Sequence, residues 1–97
     1  MVRFLPFLLS ALACAQSLDW RAINEETLRH YTALVQIDST NPPGNETKVV
    51  EYVKKVLEAE GIPVILAAKD PSRANLIARL KGNGSKKPIL VMGHAVP

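Results

Sequence analysis

Apolar and polar positions alternate with two different periods along this chain, after a leader with no period at all. Leu28, Tyr31, Leu34 and Val35 recur three and four residues apart, as one face of a helix does. The pattern predicts a helix from an N-cap at Asn24 to about Ile37, with Glu25 and Glu26 at the positive end of its dipole. The stretch DSTNPPGNE, Asp38 to Glu46, breaks it, because Pro42 and Pro43 exclude helix and Gly44 admits an unusual backbone angle. Asn45 or Thr47 then caps a second helix. Val49, Val50, Val53, Val56 and Leu57 form its core stripe, and Lys48, Glu51, Lys54, Lys55 and Glu58 fill the wet side. Gly61 suits the C′ position, and Pro63 cannot continue the helix.

Three strands are predicted next. Val64 to Ala68 is the first. Ala74 to Leu80 alternates, with Leu76, Ala78 and Leu80 on one face and Asn75, Ile77 and Arg79 on the other. Gly82 to Lys87 is a turn-rich polar link, and Pro88 to Met92 is apolar on both faces, as in a central strand covered by helices on both sides. The order α-α-β-β-β shows no internal repeat. The expected fold is α/β, a partial mixed sheet with two N-terminal helices. A strand apolar on both faces demands neighbours and covering layers that these elements do not supply. The pattern therefore reads as the opening portion of a larger α/β domain, with an open sheet edge that invites pairing.

The leader changes the setting. MVRFLPFLLSALACA carries Arg3, an apolar stretch from Phe4 to Ala13, and small residues at Ala13 and Ala15, as a secretory signal peptide does. Its apolar stretch would reach roughly 15 Å as a helix, against about 30 Å of hydrocarbon. A buried N-terminal helix is the alternative, opposed by Pro6 and by the lack of a polar face. We expect residues 1–15 to be removed after Ala15, leaving a domain at 16–97 that is secreted or periplasmic and has no membrane anchor. Cys14 is the sole cysteine, so residues 16–97 form no disulfide. A lipid anchor on Cys14 is a rival reading, although Ala11 stands where such sites usually carry leucine. The net charge of +3 is spread along the chain without a basic block, which argues against a nucleic-acid partner. An apolar fraction of 47% suits a folded chain rather than a disordered one.

One residue then stands out chemically. His94 follows an apolar run by a single glycine, the place where open α/β sheets bind ligands. Imidazole is a zinc ligand through either nitrogen. A lone histidine is more often an ordinary solvated residue, so the wider pattern decides. LVQIDSTNPPGNE, VVEYVKKVLEAEGIPV, RANLIARLKG and PILVMGH, in that order and spacing, resemble the N-terminal part of the M20 family of zinc metallopeptidases. The resemblance spans Leu18 to His94. It implies the opening portion of a zinc-peptidase catalytic domain from a group of carboxypeptidases, aminoacylases and amino-acid deacylases. It also implies two zinc ions bridged by a carboxylate and a water, a glutamate as general base, and a peptide or N-acyl amino acid as substrate. Paired cations lower the pKa of the water and polarise the carbonyl, while the glutamate shuttles the proton.

His94 matches the first zinc ligand of that family. The family's bridging aspartate falls two places later, where this chain has Val96, so GHAVP looks like the family motif with about two residues missing. The catalytic glutamate, the remaining ligands and the dimerisation domain lie further along in the family. The expectation is a truncated M20-like metallohydrolase, inactive alone, with His94 as its metal ligand and no catalytic residue. The rival is a small exported α/β module without catalysis that binds or self-associates through its open edge. Other polar residues read more plainly: His30 as a boundary histidine, Asp38 as a loop hydrogen bonder, Arg73 and Asn75 as structural. Trp20 is expected to pack against the first helix. Asn45-Glu46-Thr47 and Asn83-Gly84-Ser85 fit the glycosylation acceptor pattern.

Overall fold

The computed structural model describes residues 17–95. The leader, its cleavage site, Cys14 and Val96 lie outside them. Helix α1 runs Trp20–Val35. Its N-cap is Asp19, whose carboxylate accepts from the Ala22 amide at 3.1 Å, rather than Asn24. Aspartate caps as well as asparagine, and Trp20 and Ile23 extend the helical spacing backwards to it. Trp20 is thus the first helical residue and is 65% exposed, so it does not pack on the helix as expected. Ile23, His30, Ala33 and Leu34 are half-buried, whereas Leu28, Tyr31 and Val35 are exposed.

Helix α2 runs Glu46–Ala59. Asn45 occupies its N-cap without a side-chain cap bond. Val50 is buried, and Val49, Val53, Val56 and Leu57 are half-buried beside it, on the stripe the spacing predicts. The far end closes as a Schellman motif: Gly61 has φ of 76°, its amide donates to Glu58 O, and the Ile62 amide donates to Leu57 O, each at 3.0 Å.

Strands β1 (Val64–Ala67) and β2 (Asn75–Ala78) pair antiparallel, with Ile65 opposite Ile77 and Leu66 opposite Leu76. A single 3₁₀ turn, Pro71–Arg73, lies between them, capped by Asp70, which accepts from the Ser72 amide at 2.9 Å and the Ser72 hydroxyl at 2.8 Å. Val64 and Leu76 are half-buried on the face turned to α2, while Ile65 and Ile77 on the other face are largely exposed. Two helices and a sheet make the α/β fold that the pattern predicts.

The third strand does not form. Among the described residues, Ile89, Leu90, Val91 and Met92 have no strand partner, and they are more than 80% exposed. The reason is non-local. A strand exists only against a partner, and the link before this one offers nothing to set its register. Within Gly82–Lys87 the side-chain bond is local, from the Ser85 amide to Asn83 Oδ1 at 3.0 Å. Among the described residues, no helix is long and apolar enough to cross a membrane.

Candidate functional site

An open groove of about 720 Å³ lies between α2, β2 and the segment that carries His94. Val49, Val50 and Val53 of α2 and Leu76 of β2 supply its apolar lining. Arg73, Asp70 and Lys69, together with Val91, Gly93, His94 and Ala95, also line it.

The loop before α2 is built from short-range bonds. Asp38 accepts from the Thr40 amide at 3.0 Å and from its hydroxyl at 2.7 Å, an Asx-type turn. Those two bonds, the hydroxyl's first, hold the Asp38 carboxyl below its ordinary value. The Gly44 amide then donates to Thr40 O at 2.8 Å, and Gly44 takes φ of 78°, a region costly for any residue with a Cβ. Space there is equally short. A Cβ on Gly44 would sit 2.9 Å from Glu46 Oε2 and 3.1 Å from Arg73 Nε.

Glu46 opens α2 with only 6% of its surface exposed. Its carboxylate accepts from Arg73 Nη2 at 2.9 Å and from Arg73 Nε at 3.2 Å, a forked pair with directional demands that lysine would not meet. The Arg73 guanidinium, and then Glu46's own backbone amide, hold this carboxyl below its ordinary value. Next door, Thr47 Oγ1 donates to Pro71 O at 2.6 Å and accepts from the Ala74 amide at 2.9 Å. The first turn of α2 is thereby stitched to the connection between the strands. Ser39, 8% exposed, donates its hydroxyl to Ala95 O at 3.0 Å and ties the same loop to the His94 segment.

The residues singled out by sequence are distributed unevenly around this junction. His94 is exposed and stands on the groove wall. Gly93 beside it has open space where a Cβ would point, so the position does not demand glycine. Arg73 is held by Glu46, and Asn75 Nδ2 reaches Ala67 O at 3.5 Å across the strand pair. His30 lies away from the groove; its Nδ1 is 2.7 Å from the Tyr52 hydroxyl and its Nε2 is 3.4 Å from Glu26. Of the two acceptor sequons, the first has its Thr47 hydroxyl engaged on both sides, and the second lies exposed.

A catalytic zinc takes three protein ligands and a water. Among the described residues no three His, Cys, Asp or Glu side chains come together. Glu46 is committed to Arg73 and Asp70 to Ser72, which leaves His94 as a single candidate ligand, too few for the ion. The sequence pattern did not mark Glu46, Thr47 or Ser39 as the joints of this junction. Thr47 was read only as a candidate cap and Glu46 only as the end of the loop, because the partner of Glu46 is 27 residues away. Comparison with protein-family models, with curated proteins and with solved structures finds no match.

Proposed function

We propose that this chain is an exported, N-terminal part of an M20-like zinc hydrolase acting on peptides or N-acyl amino acids, with His94 as a zinc ligand. One observation carries the reading. His94 stands at the carboxyl end of an apolar run, on a groove shared with Lys69 just past the end of β1 and with Asn75 at the start of β2. The four segments that resemble the family converge on this groove or its supporting loop. Residues 17–95 do not fit a zinc centre by themselves, so no step of hydrolysis is assigned to them, and the chain alone is proposed to be inactive. The test is twofold. Purified chain should release no amino acid from N-acyl amino acids or dipeptides; chelator-sensitive release would contradict the proposal. The DNA following the Pro97 codon should encode the acidic, glutamate and histidine companions in some frame, and their absence would end it.

A second reading, a non-catalytic module that self-associates, is favoured by the exposed Ile65–Ile77 pair and the uncovered run at Ile89–Met92. Sedimentation of the purified chain separates the two. The module reading expects a discrete, folded oligomer, and the hydrolase reading does not.

A further inference from the structure

We infer that Ser39 is the residue that positions His94, by clamping the carbonyl of the next residue, Ala95, to the loop before α2. The inference rests on the proposed role of His94 as a ligand, but its geometry stands apart from that role.

Ordinarily a side chain at the tip of a strand is aimed by the strand. Here the preceding residues, Ile89 to Met92, have no sheet partner and are almost wholly exposed, so no ladder fixes where His94 goes. What reaches the segment instead is the Ser39 hydroxyl, 3.0 Å from Ala95 O and 56 residues away in sequence. Closing so long a loop on a mobile anchor would have little effect, because the anchor would simply follow the loop. Ser39 is not a mobile anchor. It is buried, and its neighbours are fixed on both sides: Asp38 binds Thr40, and the Gly44 amide closes back on Thr40 O. Gly44 in turn abuts the Glu46–Arg73 pair, which joins α2 to the strand connection.

The buried side chains among the described residues are Ser39, Glu46, Val50 and Ala74, and Gly44 is buried with them. All but Val50 belong to this one set of contacts. The most buried part of the described structure therefore ends in a hydroxyl that holds the backbone adjoining His94. A serine suits the task. Its single O–H donor reaches a carbonyl without the bulk that a longer polar side chain would bring into a closed site. Ser39 touches no reacting group and acts only through the segment it holds.

NMR on the full-length chain tests this. In the wild type, the His94 ring and the Ala95 carbonyl should show an ordered environment distinct from coil. Ser39→Ala should move the Ala95 carbonyl resonance to its coil position and drop the His94 order parameter below about 0.6, the flexible range. The His30 ring and the α2 amides should stay where they are. Ser39→Thr, which keeps the hydroxyl, should restore His94. Gly44→Ala, which touches neither His94 nor Ala95, should loosen His94 by displacing the loop. A His94 already at coil mobility in the wild type overturns the inference without any variant. So does a Ser39→Ala chain in which His30 and α2 shift as much as His94, since that is a general packing role. Zinc added to the wild-type sample addresses the parent reading separately. An ordered His94 ring no more responsive to zinc than His30 removes the ligand role and leaves the clamp standing.

Discussion

At the scale of single residues, Thr47 shows how much one hydroxyl can organise. It satisfies Pro71 O and the Ala74 amide together, and Ala74 is only 6% exposed. Thr47→Val keeps the shape and deletes both bonds. A buried N–H left without an acceptor costs about 1–3 kcal/mol. Native-state hydrogen exchange should report this as faster exchange at Ala74 by about tenfold or more; unchanged exchange would mean that water replaces the hydroxyl. Three carboxylates are shifted in the same direction, each by its own bonds. Asp38, Glu46 and Asp70 all lie below their ordinary values, held there chiefly by the Thr40 hydroxyl, the Arg73 guanidinium and the Ser72 amide respectively. A lowered folded-state value gives stability that is present above the unfolded carboxylate range and is lost as pH falls through the lowered value. The loop before α2 and the Pro71–Arg73 turn should therefore hold at about pH 5 to 8 and open together below about pH 4, a change that amide spectra recorded during acid titration would follow. The role of Asp38 as a loop hydrogen bonder was legible in the sequence, and the longer-range pairing was not. Arg73 read as structural, but its partner depends on α2 and the strand connection meeting in space.

Elements were easier to read than their joints. The valine stripe of α2 and its Gly61 stop translate directly into a half-buried face and a Schellman closure, because both signals are local. Helix α1 was legible in kind and misplaced at its start. Asn24 competes with Asp19 as a cap, and only the bond from the Ala22 amide decides between them. Its docking is thin. No residue of α1 is buried, and the link to α2 centres on His30 and Tyr52, whose rings meet edge-on at 5.9 Å with the hydroxyl bonded to Nδ1. Tyr52→Phe deletes that bond at a net loss of about 1 kcal/mol. Exchange protection should fall along α1 and stay level in α2; equal losses in both helices would show that the two are one cooperative unit. The failed third strand belongs to this scale too. Its apolar composition was read correctly, and its pairing was not, because pairing is a property of two segments and composition describes one.

For the molecule as a whole, apolar surface exceeds what these elements can cover. Among the described residues Val50 and Ala74 are the buried hydrophobics, while Ile65, Ile77, Leu80 and all of Ile89–Met92 are more than half exposed. Apolar surface on this scale marks a face meant to meet something else. The sequence announced that demand through a strand apolar on both sides, and the structure shows it unmet. The groove and His94 are thus held by a polar junction rather than by a packed core. The most direct test is thermal unfolding of residues 16–97, followed by far-ultraviolet circular dichroism with a dye that reports exposed apolar surface. An uncovered α/β unit predicts a broad, gradual loss of signal and dye binding at room temperature. A single sharp transition from a monomer that binds no dye would contradict it.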